Sequence, residues 1–200
     1  MINLNDNQFD GGGNAKIFNG GKAGVVENVA ISVSRKKAED KPGSPEFKLN
    51  FTDETGAVCS LSYWTVEKET SYKSVDQQIQ AQGKVFKHIL HALYGKTFEI
   101  PSFPNPKAML DGCMKLINDG SKSAGAGFRI IANYGAAASP KSFIQPRSWV
   151  PFMEPMSVSI EESRLQLGDF DASARLTKDE IPVGNANDLL SPSTNNDDWE

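Results

Sequence analysis

The chain has 200 residues, 38% of them hydrophobic, enough for one sizeable domain with appendages or two small ones. No stretch approaches the ~20 consecutive apolar residues of a membrane-spanning helix. The net charge of −4 divides unevenly, +3 over residues 1–160 and −7 over residues 161–200, so a mildly basic body carries an acidic extension of the kind that accompanies nucleic-acid partners or self-screening.

The opening MINLNDNQFDGGGN has neither a basic segment nor an apolar run, so no signal peptide is expected. Residues 1–21, with Gly11-Gly12-Gly13 and Gly20-Gly21 among Asn and Asp, read as a flexible arm. A first strand is expected over Val25 to Ser34, where Val29, Ile31 and Val33 alternate with polar or small residues. The loop RKKAEDKPGSP follows, punctuated by Pro42, Gly43 and Pro45. Next comes a half-buried hairpin. Phe47, Leu49 and Phe51 share one face and Lys48, Asn50 and Thr52 the other; Asp53-Glu54-Thr55-Gly56 supplies the turn. On the return strand Cys59, Leu61 and Tyr63 face the core, opposite Ser60, Ser62 and Trp64.

Ser74 with Gln77 forms a capping box that starts a helix carrying Val75, Ile79, Phe86, Ile89, Leu90 and Leu93, stopped by Gly95 in a left-handed conformation. A second helix takes Asn105 as cap and Pro106 as first helical residue, with Gly120 beyond its end. A strand fits Phe128 to Tyr134, a Gly/Ala/Ser/Pro loop residues 135–142, and further extended pieces Phe143 to Val150 and the neighbourhood of Val158. Residues 163–200 read as an acidic, largely disordered tail.

This order gives a mainly β chain with helices. Placing a helix between the third and fourth of five strands is the layout of the OB-fold, a five-stranded Greek-key barrel. Here the domain spans 22–162 and a second helix enlarges it between strands 3 and 4. Ligands of that fold meet the face of strands 2 and 3 and the loops joining strands 1–2 and 4–5. In those places stand Arg35, Lys36, Lys37, Lys48, Trp64, Lys141, Phe143 and Arg147, with Tyr72, Lys73 and Arg129 nearby. Cations interleaved with rings suit a single strand, whose phosphates take Lys or Arg and whose bases stack on aromatics. Each residue also has a structural use. Trp64 and Trp149 can pack in the core, Tyr63 faces inward, Arg129 can form a strand-edge ion pair, and Arg35-Lys36-Lys37 can be a solvated loop tip.

The chain resembles phage-type single-stranded DNA-binding proteins, and more loosely bacterial ones, in this layout over about three quarters of its length. The hairpin KLNFTDETG, the helix ending HALYG and the terminal DDWE (Asp197, Asp198, Trp199 and Glu200) after a polar spacer carry the resemblance. Family tails often finish on the aromatic itself, whereas Glu200 follows it here. The resemblance implies sequence-independent binding of single-stranded DNA in replication, recombination or repair. The tail then competes with DNA and recruits replication or recombination proteins through those four residues. It also implies the cytoplasm of a bacterial host and no membrane partner; a homodimer stays open.

Nothing points to catalysis, a cofactor or a metal. GxxxxGK[ST], GxSxG and HExxH are absent, and GAGF at 125–128 follows a helix and precedes a strand, the reverse of a dinucleotide-binding loop. His88 and His91 share a helix face with Lys84 and Lys87 and read as solvated surface without a third metal ligand. Cys59 and Cys113 read as buried, reduced thiols. Two other classes fit the same pattern: a protein-only replication or recombination adaptor, and a virion structural protein whose arm and tail order on assembly.

Overall fold

The computed structural model describes residues 16–36, 45–134 and 144–167. Six strands and two helices follow one another as β1 (Gly24–Arg35), β2 (Phe47–Thr52), β3 (Val58–Tyr63), α1 (Val75–Tyr94), α2 (Pro106–Ala124), β4 (Phe128–Asn133), β5 (Gln145–Pro146) and β6 (Met153–Pro155). The strands form one open sheet in the order β3-β2-β1-β4-β5, with β6 also pairing β4; every pair is antiparallel. The two ends of that path, β3 and β5, come close without forming a ladder.

β1 serves two partners along its length. Ala30 to Arg35 pair with β2, while Gly24 to Val29 pair with β4. One extra residue between Val26 and Val29 shifts the register, and Asn28 there takes φ +54. Asn tolerates that left-handed conformation better than most residues, and a bulge sharpens the bend and twist. The sheet curls at this point.

The hairpin folds as its alternation requires. Phe47, Leu49 and Phe51 are buried and lie opposite Tyr63, Leu61 and Cys59, respectively. Asp53 locks the turn, its Oδ1 accepting from Thr55 N, Thr55 Oγ1 and Ala57 N. Its Oδ2 accepts from Asn19 N at 2.8 Å. Residues 16–21 therefore belong to the folded body and not to a flexible arm. Phe18 is buried in the core, Lys16 Nζ donates to the Thr55 carbonyl, and Tyr134 donates to the Gly21 carbonyl.

Ser74 caps α1 as expected, accepting from Gln77 N while Gln77 Oε1 accepts from Ser74 N. Gly95 ends it at φ +92 and ψ 159, with positive φ but extended rather than left-handed helical. Asn105 caps α2, but Gly120 lies inside the helix, which runs on to Ala124. The reason is tertiary. Tyr94 of α1 crosses there and donates to Leu116 O at 2.8 Å, and a Cβ on Gly120 would sit 2.9 Å from the ring. Val85, Phe86, Ile89 and Leu90 of α1 and Leu110, Cys113, Met114 and Ile117 of α2 cover the sheet's inner face.

The last strands are shorter than expected and differently placed. Among the described residues of the expected 143–150 piece the strand is Gln145–Pro146, with Arg147 N also donating to Ile131 O, and the final strand is Met153–Pro155 rather than around Val158. The body also extends past residue 162, since Leu165 is buried and Ser163 Oγ donates to Glu154 Oε1 at 2.6 Å. Both cysteines are buried free thiols, and burial raises the Cys113 pKa to about 11.

Candidate nucleic-acid interface

On the face of β1, β2 and β3 turned from the core, small polar side chains make a connected row. Asn50 Nδ2 donates to Ser34 Oγ at 3.0 Å, and Ser60 Oγ donates to Asn50 Oδ1 at 2.8 Å. Lys48, half-buried, lies in the same row opposite Ser62 and Ser34. Trp64 follows directly after β3.

Beyond Trp64 the chain makes a closed turn before α1. Thr70 N donates to Lys73 O at 2.9 Å, and the Thr70 hydroxyl accepts from Lys73 N at 3.1 Å. That turn holds Tyr72 out at 90% exposure, beside exposed Lys73. Because Ser74 is the helix cap, the position of Lys73 relative to α1 is fixed by two adjoining motifs.

Trp64 is 36% exposed and forms a wall common to two hollows. The larger, about 340 Å³, lies between the end of β3 and the first turns of α1; Leu61, Val66, Val85, Lys73, Gln78, Gln82 and Ser148 are among its lining residues. The smaller, about 270 Å³, is edged by Lys68 and by the acids Glu67 and Glu69. Ser148 reaches the larger one because β3 and β5 come together, so the segment after β5 does meet the β2–β3 region. Gln82 Nε2 donates to the Trp64 carbonyl at 3.1 Å, tying the ring's backbone to α1.

Other expected contacts lie elsewhere. Arg35 alternates with Val29, Ile31 and Val33, so it belongs to the core-side face of β1. Its guanidinium lies 5.6 Å from the centre of the Phe47 ring. Lys36 is exposed, just past the strand. Lys107 Nζ lies 6.0 Å from the centre of the same ring and binds Glu46 at 2.7 Å and Asp111 at 2.9 Å. Burial alone would raise the Glu46 carboxyl, but Lys107 and the Thr65 groups outweigh it and hold the pKa below its ordinary value.

Arg129 is buried and engaged as an ion pair, the structural alternative to a phosphate contact. Its Nε lies 2.9 Å from Glu27 and its Nη1 2.7 Å from Glu154. Arg147 is also buried, its Nη1 donating to Pro151 O and Gln166 O, with Trp149 beneath its guanidinium at 5.1 Å. Both guanidiniums hold the segment around residues 144–167 together and face protein partners. Lys37, Lys141, Phe143, Asp197, Asp198, Trp199 and Glu200 lie outside the described residues.

His88 departs from the solvated surface expected of it. It is half-buried against Phe152, and its Nε2 accepts from both Phe152 N at 3.2 Å and Met153 N at 3.1 Å. Two N–H donors on one ring nitrogen require the neutral ring with its proton on Nδ1. Among the described residues no three His, Cys, Asp or Glu gather as a metal site, and no helix is long and apolar enough to cross a membrane.

Sequence reasoning passed over Gln78, Gln82 and Ser148. A signal existed for the glutamines: the first turns of α1 read DQQIQAQ, and Gln78 and Gln82 stand four residues apart, on one helix face. Compared with known proteins, the chain matches no family model, no curated protein and no solved structure.

Proposed function

We propose that this chain is a sequence-independent single-stranded DNA-binding protein of the phage type, acting in DNA replication, recombination or repair. In this reading it has an OB-fold body and no catalytic step. The observation that carries it is Trp64, an exposed ring walling two hollows, with Lys73 lining the larger and Lys68 the smaller. A partly exposed ring beside lysine side chains can stack a base while its phosphates are neutralised.

The connectivity supports the barrel. The order β3-β2-β1-β4-β5, with β3 near β5 and both helices between β3 and β4, agrees with a partly open five-stranded Greek key to which β6 is added beside β4. The strand 2–3 face and the segment after β5 then converge where this fold binds oligonucleotides.

The acidic extension takes the role of competitor and recruiter. In this reading the acidic extension, part of a −7 charge over residues 161–200, competes at low salt with DNA for the cations of the body and recruits replication or recombination partners through Asp197, Asp198, Trp199 and Glu200.

Titrating oligo-dT by tryptophan fluorescence across a salt series tests the whole reading. Log K should fall with a slope of about −0.7 per phosphate neutralised. A chain ending at Leu167, which keeps the buried Leu165, should bind more tightly at low salt than the full chain. No binding at any salt overturns the function; equal affinities at low salt overturn only the tail's role.

A further inference from the structure

Two glutamine amides stand along the helix side of the hollow between Trp64 and α1. Gln78 and Gln82 line it, and their amide nitrogens are turned to main-chain carbonyls. Gln78 Nε2 donates to Lys68 O at 2.9 Å and Lys73 O at 3.2 Å, with Ser74 O at 3.4 Å. Gln82 Nε2 donates to Trp64 O. A carbonyl only accepts, so these contacts fix which end of each amide is nitrogen. The amide oxygens are what remains, and among the described residues none donates to either. Both Gln78 hydrogens are committed, so toward a ligand that side chain can only accept.

We infer that this hollow takes one nucleobase, stacked on Trp64, and favours bases carrying an exocyclic amino group, which donates to the oxygens of Gln78 and Gln82. The inference rests on the proposed function and adds a base preference at one position of the bound strand. Three features of the hollow agree with that occupant. Its volume of about 340 Å³ admits a purine. Leu61, Val85 and the indole give it apolar walls. Lys73 stands at its edge to meet the backbone phosphate. Adenine, cytosine and guanine each carry an amino group, whereas thymine carries none and offers only its ring N–H as donor. An acceptor held by three main-chain contacts cannot rotate to become a donor without breaking them, so the preference is built into the start of α1.

The test deletes the amino group from the ligand. Full-length protein is titrated with oligo-deoxyadenosine and with an oligomer of equal length built from deoxynebularine, the same purine ring without its amino group. Adenine should bind about fivefold more tightly, the size of one net hydrogen bond. Gln78→Leu and Gln82→Leu, each checked for folding by circular dichroism, should shrink that ratio while both oligomers still bind. Equal binding of the two oligomers by the unaltered protein overturns the inference without recourse to a variant. So does an undiminished ratio in both folded variants, since stacking alone then explains it. Failure to bind either oligomer overturns the proposed function, and the inference falls with it.

Discussion

Arg129 of β4 and Glu154 of β6 stand on one rung of the β4–β6 ladder, their side chains joined at 2.7 Å and both buried. Glu154 also accepts from Ser163 Oγ and Arg164 N. Arg129→Met leaves that carboxylate buried without its counter-charge. It is expected to lower stability by about 3–5 kcal/mol, as for other broken buried pairs. Urea denaturation measures the loss. The folded fraction should bind oligo-dT as before, because the guanidinium faces Glu27 and Glu154 rather than the Trp64 hollows.

Protonation of His88 should loosen the fold. Burial lowers its pKa from the ordinary 6.5. Its Nε2 accepts two backbone N–H groups, which an imidazolium cannot do. The unfolded ring therefore takes up its proton first as pH falls. The stabilisation is full above 6.5 and is lost as pH drops from 6.5 toward the lower folded value. His88→Gln, which offers an uncharged acceptor, should flatten this part of the stability–pH profile. Denaturation midpoints at about pH 7.5 and about pH 5 for both proteins decide it.

Two helical glycines should respond to alanine with opposite signs. Around Gly83 nothing lies within 4 Å of an added Cβ, so Gly83→Ala should stabilise by about 0.5–1 kcal/mol through backbone entropy. At Gly120 the same methyl would meet Tyr94 at 2.9 Å and must displace a ring that is hydrogen-bonded to Leu116 O. Gly120→Ala should therefore lower the melting temperature, despite the gain in helix propensity.

Trp64→Ala should weaken oligo-dT binding by about 1–3 kcal/mol if the ring stacks on a base. Tyr72→Ala, at a fully solvated turn, should leave the melting temperature unchanged while lowering affinity. Fluorescence anisotropy with a labelled strand reads both. Unchanged affinity in folded Trp64→Ala removes the ring from the interface.

The hairpin and both helix starts were legible because their causes are local. Phe47, Leu49 and Phe51 alternate, Ser74 meets Gln77 three residues on, and Pro106 follows Asn105. What failed was tertiary. Gly120 reads as a stop until Tyr94 is seen pressed against it. His88 reads as surface because its partners, two backbone N–H groups more than sixty residues away, leave no mark near it in the sequence. For the candidate site, Trp64 and Lys73 stood out as ring and cation, but the wall they share with Gln82 exists only once α1 has docked. Arg35 was a different case. Its place in the Val29, Ile31, Val33 alternation already put it on the core side.

Phe18 acts as a stopper in the core, and the short stretch around it is stitched to two distant parts of the folded chain. Asn19 meets Asp53 in the hairpin turn, and Gly21 meets Tyr134 at the end of β4. Trimming the chain to begin at β1 would pull that stopper, flood a pocket built for an aromatic ring, and strip Asp53 of a donor. A shortened protein that aggregates would then be reporting a missing plug, and its poor behaviour would say nothing about what the intact surface binds.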